Sequence, residues 1–231
     1  MTDKMKLSEK QLEIPVLPLK AFLEFEVRDR HGKLITRKKQ EAHSWVRNLY
    51  NLLVCQAGAV AGDSALGLAL LDTSGSTRTD PTTQPASGEA SSGTSNRRIY
   101  VGLGYGLYAG AGIDSFGLVV GTGSDPESFE DYSLGSKISS GNLAGQLSYS
   151  TTDAPIISTV GTTKRIQWIR YFNNNSGGAI TVNEVGMYTK GCIAAYAITY
   201  MLCRDLVSGG VEVPDTGQLK VTYTIQLPYP A

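Results

Sequence analysis

Near the C-terminal end, Leu219, Val221, Tyr223, Ile225 and Leu227 alternate with Lys220, Thr222, Thr224 and Gln226. A period of two sends successive side chains to opposite faces, so this segment buries its apolar set only as a strand with one face covered. Leu23, Phe25 and Val27 alternate with Glu24, Glu26 and Arg28 in the same way. Further short strands are expected at 98–107, 116–121, 143–150, 156–160, 165–172, 179–188 and 193–202, separated by turn-forming residues at roughly ten-residue intervals. Many short strands with little helix predict a mainly β chain: an antiparallel β-sandwich or a jelly-roll-like domain. One short amphipathic helix is expected near the N-terminus.

That helix is expected at 44–57, with Ser44 as N-cap and Gly58 as stop. Trp45, Leu49, Leu52 and Leu53 share a face at three- and four-residue spacing, which makes Trp45 a core anchor. Ahead of it, Asp29-Arg30-His31-Gly32 has turn chemistry, and 33–42 reads as a polar strand facing solvent or a partner. Residues 1–18, with Pro15 and Pro18, read as an extended arm, and 19–231 as a single β domain. After a strand candidate at 65–71, residues 72–97 are crowded with Ser, Thr, Gly and Pro and are expected to form a long loop that orders only against a neighbour. The polar segment 122–138 contains Pro126, with Ser124 as cap for a short helix. Asn173-Asn174-Asn175-Ser176-Gly177-Gly178 is a dense turn signal, expected to join 165–172 to 179–188 as paired strands.

At 231 residues the chain is long enough for a substantial core, and its 26 glycines and 12 tyrosines suit tight turns and half-buried sheet faces. Lys plus Arg and Asp plus Glu number 21 each, so formal net charge is zero. Such a chain has no general pull on phosphate backbones, which argues against nucleic-acid binding, and it places little repulsion between like copies. Cys55, Cys192 and Cys203 are odd in number and widely spaced, which suits reduced thiols packed in a reducing cytoplasm. The polar start, 1–10, has no apolar signal core, and the longest apolar run, 192–203, is broken by Thr199 and too short to span a membrane.

Catalytic and ligand signatures are weak. His31 and His43 flank one hairpin with no companion ligands and read as surface residues. Gly102, Gly104, Gly106, Gly110 and Gly112 lack the lysine and the helix of a phosphate loop, and read as sheet-packing glycines. Asp125, Glu127, Glu130 and Asp131 lack the spacing of a calcium loop. No catalytic, metal or cofactor residue is assigned, and the chain is expected to be non-enzymatic. Tyr100, Tyr105 and Tyr108 cluster beside the glycines, and Tyr196 and Tyr200 lie four apart; such tyrosines serve sheet packing, protein interfaces or sugar stacking. Glu184 interrupts an apolar alternation and needs a partner such as Arg170, while Arg204 and Asp205 end an apolar strand and can pair locally or across an interface.

Over 165–227 the chain resembles virion structural proteins of tailed bacteriophages. The likeness is carried by Arg170-Tyr171-Phe172-Asn173-Asn174-Asn175-Ser176-Gly177-Gly178 and Ile180-Thr181-Val182-Asn183-Glu184-Val185-Gly186-Met187-Tyr188. It continues through Met201-Leu202-Cys203-Arg204-Asp205-Leu206, with Cys203 at a position where alanine is expected, and through the turn and strand from Val213 to Ile225. Arg28 to Lys33 and Ser44 to Asn48 resemble the opening hairpin and helix of the same proteins. The resemblance implies a capsid, neck or tail component that assembles with itself and with other virion proteins. It places the chain in the virion, after synthesis in the host cytoplasm. A tail-tip or capsid-fibre module for a host surface glycan or receptor is the alternative. Interface candidates are Glu184, Arg170, Arg204, Asp205, Tyr105 and Tyr108.

Overall fold

β1 (Lys20–Arg28) forms where the first alternation predicts it, with Ala21, Leu23, Phe25 and Val27 buried and the residues between them more exposed. A tight turn follows: the Asp29 carboxylate accepts hydrogen bonds from the N–H of His31 and of Lys33, at 2.8 and 3.0 Å. β2 (Leu34–Ala42) returns antiparallel and largely exposed, as its polar sequence requires. The computed structural model describes residues 19–58, 68–78, 106–193 and 196–228. The expected arm 1–18, residues 79–97 of the expected loop, and the expected strand as far as residue 105 lie outside the described residues.

α1 (Arg47–Gly58) comes after two strands, so it does not open the chain, and it starts three residues later than the Ser44 cap implies. The cause is tertiary. Trp45 makes a β-bridge to Cys203, and the Val46 N–H donates to the Leu202 carbonyl at 3.1 Å, so 44–46 belong to the edge of another strand. The expected leucine face fails too: Leu53 is 64% exposed, whereas Asn48 and Asn51 are buried. Asn48 both accepts from the Leu71 N–H and donates to its carbonyl, and Asn51 donates to the Ala69 carbonyl. Two asparagines thus dock the helix on β3 (Leu70–Leu71) by completing a strand edge.

β3 pairs with β4 (Thr77–Arg78), so the first seven residues of the expected loop form a small hairpin. Asp72 organises it: its buried carboxylate accepts from the N–H of Ser74 and of Ser76, the Ser74 hydroxyl and the Arg78 guanidinium. Burial pushes the Asp72 pKa up, and these donors more than offset it, leaving the carboxyl below its usual range.

β5 (Gly117–Gly121) is wholly buried. The expected short helix capped by Ser124 is absent; 122–138 is an irregular loop, and the physical reason is the buried carboxylate it wraps, described below. The expected strand 143–150 shortens to β6 (Ser148–Tyr149). β7 (Ile156–Val160), β8 (Thr163–Asn173), β9 (Ile180–Ile193), β10 (Tyr196–Val213) and β11 (Gln218–Pro228) complete the chain.

The larger strands make two antiparallel sheets. One has six strands in the order β2-β1-β11-β8-β6, with β7 also on β8; the other is β10-β9-β5. One buried cluster draws Leu23, Phe25, Phe172, Leu219, Val221 and Tyr223 from the first sheet, and Val119, Val185, Met187 and Met201 from the second. The turn at 173–178 therefore does not close a hairpin. β8 pairs with β11, whereas β9 pairs with β10 and β5, so the chain changes sheets there. It changes back between β10 and β11, and Asn174 laces the two crossings together. The Asn174 N–H donates to the Gly217 carbonyl, its own carbonyl accepts from the Thr216 N–H, and its side-chain amide donates to the carbonyls of Gly178 and Val213. No helix among the described residues is long and apolar enough to cross a membrane.

Candidate functional site

The four charges singled out in the sequence are buried, and the structure separates them into three arrangements. Glu184, on β9, is paired with Arg204 rather than with Arg170. Its Oε2 accepts from Arg204 Nε at 2.7 Å and from the Gly135 N–H at 3.0 Å, while Oε1 accepts from the N–H groups of Gly123 and Ser136 at 3.0 and 2.7 Å. Four donors on two oxygens satisfy a buried carboxylate. The irregular course of 122–138 follows from this, because the loop must aim three backbone N–H groups inward at one point. A Cβ on Gly121 would sit 2.4 Å from Glu184 Oε1 and 2.6 Å from the Ser136 carbonyl, and one on Gly123 would sit 2.4 Å from the same carboxylate oxygen. Close backbone approach is why Gly121-Thr122-Gly123 carries two glycines.

Arg204, on β10, spends its remaining donors on the same loop, reaching the Asp125 and Pro126 carbonyls and Asp131 Oδ2 at 3.0 Å. Burial lowers its pKa, but hydrogen bonds and charge from Glu184 and Asp131 outweigh this and raise it.

Arg170, on β8, faces carbonyls alone. Nε donates to Ser150, Nη1 to Phe116 and Leu118, and Nη2 to Gly110 and Ile113, which matches five N–H donors to five backbone acceptors. The Tyr149 ring lies 4.8 Å from the guanidinium carbon. Desolvation without a contacting carboxylate brings the Arg170 pKa down to about 10, which still leaves it charged at neutral pH. The guanidinium thus fixes the irregular stretch from Gly110 to Phe116, and the start of β5, against the six-stranded sheet.

Asp205 closes the third arrangement. Its Oδ1 accepts from the N–H groups of His43 and Ser44, and its Oδ2 from the Tyr223 hydroxyl at 3.0 Å. Burial raises its pKa despite these bonds. All four charges hold backbone in place, and none converges on an open cleft with another.

The remaining candidates scatter. Tyr105 lies outside the described residues, as do Tyr100, Gly102 and Gly104, while Tyr108 is half-buried in the turn before β5. Tyr200 is buried with Leu70 beside α1. His31 sits in the β1–β2 turn and His43 at the far end of β2, both exposed. Three of the four acidic residues of 125–131 are committed separately: Asp131 to Arg204, Glu127 to the Leu206 N–H and Glu130 to Arg47. Among the described residues no His, Cys, Asp and Glu group is arranged to hold a metal ion. Cys203 is free and buried; the Cys55 and Cys192 side chains lie outside those described.

The surface carries the more informative feature. Residues directly opposite in neighbouring strands share a face, and one row of the six-stranded sheet runs Ala42, Ala21, Ile225, Ile166, Ile157. Ala42 and Ala21 are buried, Ile225 is partly buried against the core, and Ile157 is 73% exposed. The core-facing side of the large sheet thus emerges from beneath the smaller one, and at that end Ile157, Leu227 and Leu19 are exposed on this face, while Ile156 and Val160 are exposed on the opposite one. This flank was not singled out from the sequence, although the uncharged, β-branched run Ile156-Ile157-Ser158-Thr159-Val160 was its signal.

Comparison with known proteins found no matching family, no similar curated protein and no similar solved structure.

Proposed function

We propose that the chain is a non-enzymatic structural protein of a virus particle of the tailed-bacteriophage kind, in its capsid, neck or tail. It is made in the host cytoplasm and works by packing against copies of itself and other virion proteins. On this reading the two sheets form a β-sandwich within one domain. The observation that carries it is the uncovered apolar flank from Ile225 to Ile157. Contiguous apolar surface continuous with a core is unfavourable in water and marks a contact site. A stable contact of this kind buries on the order of 1,600 Å². The buried charges support the same reading, since each one fixes a loop and so stiffens the body that would be packed.

A module that binds a host surface glycan or receptor is the second reading. Phe129, beside Arg47 of α1, and Tyr132, whose ring lies near Gly75, are its support, because exposed aromatic side chains stack on sugars. Electron microscopy of the purified full chain separates the two. Rings, tubes or lattices are expected; dispersed single particles that bind immobilised host glycans would favour the second reading.

A further inference from the structure

We propose that β7 is a docking edge for a second copy of this chain, pairing antiparallel with the same strand of that copy about a two-fold axis through Ser158. The inference deepens the assembly reading and rests on it for the existence of contacts between like copies.

The two long edges of the large sheet are treated differently. β2 carries Arg37, Lys38, Lys39 and Glu41, the charged protection that keeps an edge from pairing with strangers. β7 has no charge at any of its five positions, four of them exposed, and among the described residues no strand pairs with its outer side. Self-pairing of β2 would set basic side chains against one another, whereas self-pairing of β7 opposes none.

Backbone geometry then selects the register. β7 and β8 join through Gly161 and Thr162, and Gly161 has φ +57, as the first central residue of a type II′ hairpin requires. The closing residues of such a hairpin, Val160 and Thr163, form a hydrogen-bonded pair, and bonded pairs alternate. Val160, Ser158 and Ile156 therefore turn their N–H and C=O toward β8, and Ile157 and Thr159 turn theirs outward. Antiparallel pairing about Ser158 matches Ile157 of each copy with Thr159 of the other, so all outward groups are satisfied. It also sets Ile156 against Val160 across the seam, on the face opposite to Ile157, and both are exposed apolar side chains. Three apolar side chains at about 100 Å² each give roughly 600 Å² over both copies. With backbone and Thr159 added, the seam nears the roughly 1,000 Å² that a specific, if weak, interface needs.

Cysteine cross-linking of the full chain tests the register. Ser158 faces Ser158 as a non-hydrogen-bonded pair with Cα atoms about 4.5 Å apart, close enough for a disulfide. Two Ile156 residues would lie about 13 Å apart along the seam, beyond disulfide reach. Under mild oxidation S158C is expected to give at least about tenfold more linked dimer than I156C or the unmodified chain. T159P, which removes an outward N–H at an edge position that tolerates proline, is expected to weaken association without lowering the melting temperature. Equal cross-linking of S158C and I156C, or none in S158C where the unmodified chain associates, overturns the β7 seam while leaving the assembly reading in place. A chain that never associates overturns both.

Discussion

Glu184 shows how one side chain sets the course of seventeen others. Its carboxylate takes three loop N–H groups and Arg204, and the loop 122–138 is irregular because it must supply them. In Glu184→Gln an amide nitrogen meets N–H donors wherever it is placed, and Arg204 loses its fully buried counter-charge, keeping only the more exposed Asp131. The expected loss is about 3–5 kcal/mol, a fall in Tm of roughly 6–20 °C for a chain this size, measured by thermal denaturation. Asp205 behaves differently, because burial raises its pKa. A carboxyl with a raised folded pKa contributes stability that is present below its unfolded value of 3.8 and lost as pH rises through the folded value. In Asp205→Asn the side-chain oxygen keeps both backbone donors and the amide faces the Tyr223 hydroxyl, so the substitution should be mild at pH 7. Denaturant titrations should show the native chain gaining on this variant as pH falls toward 4; a constant difference would contradict the assignment. From the sequence, Glu184 is expected to take a partner such as Arg170, whereas the structure pairs it with Arg204. Glu184 and Arg170 are both isolated charges in apolar strands, and nothing local says that β8 and β9 lie in different sheets.

At the level of elements, legibility followed the period. β1, β2, β7, β8 and β11 were readable because each carries alternation, uncharged β-branched runs or clear turns at its ends. α1 was readable in existence but not in its start or face, since its docking rests on Asn48 and Asn51, residues that an apolar template scores as solvent-facing. The turn at 173–178 was readable as a turn and misread as a hairpin. A run of Asn, Ser and Gly reports that the chain reverses, and leaves open whether it returns to the same sheet. What decides it is Asn174, whose amide reaches Val213 from 39 residues away. Asn174→Ala strands the buried Val213 carbonyl, at about 1–3 kcal/mol, while the exposed Gly178 carbonyl keeps the Ser176 hydroxyl. A fall in unfolding free energy of about 1–3 kcal/mol is expected in denaturant titration, and no measurable loss would show that the crossings hold without it.

The whole molecule sets a well-determined interior against a flank left open. Buried carboxylates and guanidiniums are each satisfied by backbone groups and by neighbouring side chains, and these bonds fix loops. The large sheet nevertheless extends past its cover, and its core-facing row ends in an exposed isoleucine. Sequence alternation revealed that this face is apolar; only the pairing register reveals how far it outruns the smaller sheet. Light scattering on the full chain, eluting from a sizing column over a range of concentrations, tests this most directly. Association into species of at least twice 24.7 kDa, growing with concentration, is predicted. A constant mass of 24.7 kDa at every concentration would contradict it.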